Sequence, residues 1–117
     1  MIVTATNAAA PLFEADWVQQ GTHISSMGSD APGKQELPVE LLLRAELFCD
    51  LSDHSRRLGE FQHVPQAVLT EIGRVLTGTA QGRSTGDSVT VFDSSGISLQ
   101  DLFVASAVID RVAADSQ

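Results

Sequence analysis

An acid and a base four residues apart, Asp30 and Lys34, stand in the segment Ser29-Asp30-Ala31-Pro32-Gly33-Lys34, directly after a short run of strand-forming residues. A carboxylate acts as a general acid or base when burial or neighbouring charge tunes its pKa and it reaches the proton concerned. A lysine ammonium is a compact point charge with three donors, suited to an anionic group on a ligand. Plainer roles compete with these. An aspartate ahead of Ala-Pro-Gly closes a turn by bonding back to the backbone, and a lone lysine is most often a solvated surface charge. Ser94, in the turn Asp93-Ser94-Ser95-Gly96, and Thr6, at the end of the first apolar run, are polar groups at strand ends. Each is open to reading as an ordinary turn or strand-end residue or as a ligand contact.

Other chemistries find less support. His23, His54 and His63 show no repeated short spacing with Asp, Glu or Cys, so no metal site is expected. Cys49, the only cysteine, lies in the apolar run Leu47-Phe48-Cys49, where it reads as a small core residue without a catalytic role. Fifteen acidic against seven basic residues give a net charge of −8, which opposes binding to a phosphate backbone. No nucleic-acid partner is expected. The apolar runs are too short or too interrupted to cross a bilayer, and residues 1–6 do not read as a secretory signal. A cytoplasmic protein with no membrane partner is therefore expected.

The elements that must position these groups alternate. Residues 2–6 read as a short buried strand, residues 13–18 as one helical turn, and residues 22–27 as a second strand ended by Gly28. Pro38 opens a helix through Leu41, Leu42 and Ala45, and residues 46–50 form a third strand. Residues 53–58 are charged and helical, and the stretch from Asp50 to Glu60, with Arg56 and Arg57, reads as a solvated face. Val68, Ile72, Val75 and Leu76 recur at helical spacing before Gly78. Residues 77–87 are a glycine-rich loop, and residues 88–92 are a fourth strand. The last helix, from Leu99 to about Ala114, is apolar almost all round and calls for burial on more than one side. Trp17 is expected as a core or interface anchor. The alternation predicts an α/β fold, one domain over residues 1–117, with a mainly parallel sheet flanked by helices.

The string Gly21-Thr22-His23, followed by Met27-Gly28-Ser29-Asp30-Ala31-Pro32-Gly33-Lys34-Gln35-Glu36-Leu37, resembles the signature loop of the ornithine cyclodeaminase/mu-crystallin family. Gly59-Glu60, Glu71-Ile72-Gly73-Arg74-Val75-Leu76-Thr77-Gly78 and Gly82-Arg83 resemble later family segments in the same order. Val89-Thr90-Val91-Phe92-Asp93-Ser94-Ser95-Gly96 resembles the closing strand and turn. The resemblance implies a Rossmann-like fold, specifically the C-terminal part of a dinucleotide-binding domain, with NAD or NADP as cofactor. It implies amino-acid deamination with cyclisation, or imine reduction, as the chemistry. It assigns Asp30 to proton transfer at the substrate, Thr6, Lys34 and Ser94 to the dinucleotide, and Ser95 to a place beside the substrate. Independent of the resemblance, ligands of open α/β sheets sit outside the carboxyl ends of the strands, where these residues fall.

The family's glycine-rich pyrophosphate turn has no counterpart, because the nine glycines are never two residues apart. The expectation is a truncated chain, inactive and holding the dinucleotide only loosely by itself. An exposed sheet edge and apolar face then suit a self-associating module, a homodimer or higher homo-oligomer. A separately encoded N-terminal half is the other partner that would complete an enzyme.

Overall fold

A computed structural model describes residues 1–116. Five strands, β1 (Ile2–Thr4), β2 (His23–Ser26), β3 (Glu46–Cys49), β4 (Leu69–Glu71) and β5 (Thr90–Asp93), form one wholly parallel sheet in the order β1-β2-β5-β3-β4. Between them run the helices α1 (Val39–Arg44), α2 (Ser52–Arg57) and α3 (Ile72–Leu76), and α4 (Ser98–Asp115) follows β5. Single 3-10 turns occur at Ala15–Trp17 and Glu60–His63. The fold is the expected α/β class, a Rossmann-like parallel sheet with flanking helices.

Strand register explains the core. Ile2, Ile24, Val91, Leu47 and Leu69 lie side by side, one from each strand, and form an apolar row across the whole sheet. Because side chains alternate along a strand, that row faces one side only. Leu41 and Leu42 of α1, with Leu37, Phe61 and Val64, cover it. Ile24 is completely buried, and Ile24→Val is expected to cost about 1 kcal/mol in urea unfolding through one lost methylene. An unchanged midpoint would show that this row is loosely packed.

The opposite face carries His23, Thr90, Phe48 and Phe92, with Ile72, Val75 and Arg83 bordering an apolar cleft of about 430 Å³. Arg83 fixes one wall by donating to the Gly21 carbonyl and to Thr90 Oγ1. On the core side, Arg44 ties α1 to the first 3-10 turn through the carbonyls of Ala15 and Val18.

Several expectations are corrected. The helical spacing of Val68, Ile72, Val75 and Leu76 conceals the edge strand β4, and the helix begins only at Ile72. Leu69 joins the apolar row, whereas Val68 points to solvent. The stretch from Asp50 to Glu60 is not a solvated face, since Asp50, Ser55 and Glu60 are buried. Arg56 there donates to the carbonyls of Pro65 and Ala67 rather than standing free in water. Trp17 is 71% exposed, so it anchors nothing in the core. Helix α4 buries none of its described residues, because no element of the described chain packs along it. Among the described residues, no helix is long and apolar enough to cross a membrane.

Candidate functional site

Two residues beyond the apolar row, on the same face, stand Thr4, Ser26, Asp93, Cys49 and Glu71. The core thus becomes polar within one pleat at the carboxyl ends of the strands. Cys49 is the exception, and burial raises its thiol to about 11, leaving it without thiolate character.

Glu36 reaches over this row from the loop after β2 and is completely buried. Its carboxylate accepts hydrogen bonds from Thr4 Oγ1 at 2.6 Å, Ser26 Oγ at 3.0 Å and Thr6 Oγ1 at 2.9 Å. It also accepts the backbone N–H groups of Thr6 at 2.6 Å and Gly28 at 3.1 Å. Burial works against its ionisation, but these donors together outweigh it and hold Glu36 below the usual glutamate range.

The backbone of Glu36 is held in turn. Its N–H donates to both oxygens of Glu60, at 3.0 and 3.1 Å, and Leu37 N–H adds a bond of 2.7 Å. The N–H of Glu60 donates to Asp93 Oδ1 at 3.1 Å, and Asp93 Oδ2 takes the Ser55 hydroxyl. Three buried carboxylates are therefore linked through backbone N–H groups, from the end of β5 to the end of β1. Burial pushes Glu60 up to about 7 and Asp93 up to about 6, in spite of the bonds each accepts.

Two glycines make this packing feasible. A Cβ on Gly28 would overlap Glu36 Oε1 and the Thr6 carbonyl, and one on Gly59 would overlap the Asp93 carboxylate and Ser55 Cα. Gly33 serves differently, because it has open space around it and a φ of 81°, a left-handed turn that glycine adopts without steric cost.

The candidate residues stand around this framework. Thr6 Oγ1 is turned inward to Glu36 and accepts Ala8 N–H at 3.2 Å. Asp30 and Lys34 form an ion pair of 2.6 Å, with side-chain exposures of 61% and 25%. The hydrogen bond and charge of Lys34 hold Asp30 below the usual aspartate range, so it is poised as a carboxylate. Lys34 also lies 3.5 Å from the Gly28 carbonyl, and its own carbonyl meets His63 Nε2 at 2.7 Å. Ser94 N–H donates to the Ser26 carbonyl, which ties the β5 turn to the end of β2. Buried Asp50 gathers that turn, accepting Ser94 Oγ at 3.4 Å, Ser95 Oγ at 3.3 Å and Gly96 N–H at 3.2 Å. His54 Nδ1 approaches Ser95 Oγ at 3.1 Å. All five candidates lie at one end of the sheet, with Thr6 and residues 28–34 joined through Glu36 and the two serines joined through Asp50.

Glu36, Glu60, Asp93 and Asp50 were not among the residues singled out from sequence. Glu36, Glu60 and Asp93 fall inside the strings that resemble the family, but the resemblance assigns a role to none of them.

A wholly parallel sheet with helices between its strands and polar groups gathered at the carboxyl ends defines a Rossmann-like α/β class of domain. Within it, the chain belongs to the ornithine cyclodeaminase/mu-crystallin family, which it matches over residues 1–116. It is 38% identical over 118 residues to the alanine dehydrogenase of Archaeoglobus fulgidus, covering 95% of this chain and 37% of that protein. To the ornithine cyclodeaminase of Agrobacterium fabrum it is 35% identical over 114 residues, 97% of this chain and 32% of that one. Among solved structures, the iminosuccinate reductase of Paracoccus denitrificans in complex with NAD+ superposes with a TM-score of 0.90 at 37% identity, over 98% of this chain and 38% of that chain. An archaeal alanine dehydrogenase dimer with bound NAD gives 0.88 at 35% identity, over 99% and 39% respectively. The chain thus spans between 32% and 39% of the length of these relatives.

Proposed function

We propose that this chain supplies one wall of a nicotinamide-dinucleotide site serving amino-acid deamination with cyclisation or imine reduction. In this reading Thr6, Lys34 and Ser94 stand beside NAD or NADP, Asp30 exchanges a proton with the substrate, and Ser95 lies next to it. The observation that carries the reading is the convergence of Thr6, the Asp30–Lys34 pair and the Ser94-Ser95 turn at the carboxyl end of a sheet shared with NAD-bound relatives.

The donors fit one side of such a ligand. Lys34 is held by an ion pair to exposed Asp30 and a long 3.5 Å bond to the Gly28 carbonyl, which exchange at small cost for an anionic group. Thr6 and Ser94 have hydroxyls already engaged with Glu36 and Asp50, so they act as fixed contacts at the rim. The dinucleotide, when bound, supplies or accepts hydride. Asp30, ionised and accessible, takes the part of a base or, once protonated, of an acid. The glycine-rich turn for the pyrophosphate is absent from this sequence, so binding by this chain is expected to be weak.

The test is an NADH titration followed through backbone amide NMR signals. Saturable shifts confined to Thr6, residues 28–34 and residues 94–95 are expected, and Lys34→Ala should weaken the apparent affinity by about tenfold, the scale of one charge-assisted bond. Shifts scattered over the surface, or unaffected by the substitution, would overturn the reading.

A second reading, self-association, is favoured by α4. Leu99, Leu102, Phe103, Val104, Val108, Ile109 and Val112 are each more than half exposed, and a patch of this kind marks an interaction surface. A homo-oligomer is in keeping with the dimeric archaeal relative. Light scattering over a wide concentration range should show a mass above that of the monomer, and a monomer throughout would remove this reading. A separately supplied N-terminal half restoring hydride transfer would point to complementation instead.

A further inference from the structure

Glu36 belongs to none of the roles assigned above, yet it touches both segments that those roles require. Thr6 and Gly28 belong to separate strand-to-loop transitions, after β1 and after β2, and each gives its backbone N–H to the same carboxylate. The two strands pair only as far as Thr4 and Ser26. Beyond that register, Met27 N–H still donates to the Thr4 carbonyl, Gln35 N–H donates to the Ala8 carbonyl, and Gly28 stays packed against the Thr6 carbonyl, with Glu36 as the hydrogen-bond partner that Thr6 and Gly28 share. The Glu36 backbone cannot drift, because its N–H is held by Glu60 and its carbonyl accepts Leu12 N–H at 2.8 Å. Gly28 has no room for a side chain against Glu36, so the separation of loop and carboxylate is set by direct contact.

We infer that Glu36 is a positioning residue, whose buried carboxylate sets the placement of Thr6 and of the loop bearing Asp30 and Lys34 relative to each other. This rests on the functional reading above and deepens it by naming what aligns its two sides. The carboxylate form is what suits the task. Every group aimed at it is a donor, and a charged acceptor shortens and strengthens such bonds. A carboxamide of the same shape offers one acceptor oxygen and turns an NH2 group toward donors, breaking part of the set.

The experiment compares wild type with Glu36→Gln by amide NMR and hydrogen exchange, and repeats the NADH titration. The expected result is faster exchange at the Thr6 and Gly28 amides by at least about tenfold, with the amides of Ile24 and Val91 in the core little changed. Dinucleotide-induced shifts should weaken by at least about tenfold, the scale of losing one well-placed bond. If Glu36→Gln fails to fold, Ser26→Ala removes a single buried donor and should give the same pattern at smaller size. Unaltered Thr6 and Gly28 amides would overturn the inference. So would altered amides with unchanged dinucleotide shifts, which would mark Glu36 as structural only. If the wild type itself shows no dinucleotide shifts, the functional reading falls on that result, while the amide comparison still decides whether Glu36 holds the two segments.

Discussion

Gly59→Ala is expected to lower stability by about 4 kcal/mol, a large share of the total for a domain of this size. The glycine has φ −82° and ψ −172°, an extended backbone that alanine adopts readily, so no conformational strain enters. The cost is steric. An added Cβ would sit well inside 3.0 Å of Asp93 Oδ2 and at 2.9 Å from Ser55 Cα, and the latter is backbone that cannot swing aside. Relief must come from Asp93, which then loses the Ser55 hydroxyl and the Glu60 N–H. Each is a buried bond to an ionisable group, worth about 1.5–3 kcal/mol when the acceptor is charged. A double-mutant cycle isolates this cause. In an Asp93→Ala background the second substitution should cost far less than it does alone, because the obstructing carboxylate is gone. Equal costs in both backgrounds, measured by urea unfolding, would place the clash elsewhere.

The same geometry shows why part of this molecule was legible in its sequence and part was not. Strands β1, β2 and β5 announce themselves through β-branched and apolar runs bounded by Gly, Pro and Asn, β3 through the apolar run Leu47-Phe48-Cys49, and the loop after β2 carries its punctuation openly. β4 does not. It is three residues long, and its neighbours Val68, Ile72 and Val75 present a helical period that masks the strand pairing of Leu69 with Leu47. The candidate residues Asp30 and Lys34 were accessible from the loop string, and the structure pairs them. The carboxylates beneath them were not accessible, because Glu36, Glu60 and Asp93 are separated by 24 and 33 residues along the chain, and an isolated acid in an acidic sequence is by default a surface residue. Their burial follows from register, which places Thr4, Ser26 and Asp93 in one row. A one-dimensional pattern does not carry that. Helix α4 fails in the opposite sense, since its apolar sequence calls for cover that the described chain does not provide.

Stability should be greatest in mildly acidic solution and decline as the pH rises toward 8, with Glu60 as the main source of the decline. Folding raises the carboxyl of Glu60 from an ordinary 4.5 to about 7 through burial, with the neighbouring charges of Asp93 and Glu36 adding to it. A raised acid binds its proton more tightly in the folded chain. Its contribution is therefore complete below about pH 4.5 and is lost as pH rises through about 7. At about 1.4 kcal/mol per unit, the Glu60 shift amounts to roughly 3 kcal/mol. Asp93, raised to about 6, has the same sign and acts over a lower window. Glu36 has the opposite sign, being held low, so its contribution is present above pH 4.5 and lost as pH falls further. His23, kept neutral chiefly by burial, also gains as pH rises through its ordinary value of 6.5, opposing the decline in part. Glu60→Gln separates these terms, because its carbonyl oxygen can still accept the Glu36 and Leu37 N–H groups while its own titration is gone. Urea midpoints taken between about pH 5 and pH 8 should fall steeply in wild type and much less in Glu60→Gln, the Asp93 and His23 terms being common to both. Parallel profiles for the two proteins would mean that Glu60 titrates as an ordinary carboxylate and that the hydrogen bonds it accepts, rather than its burial, set its charge.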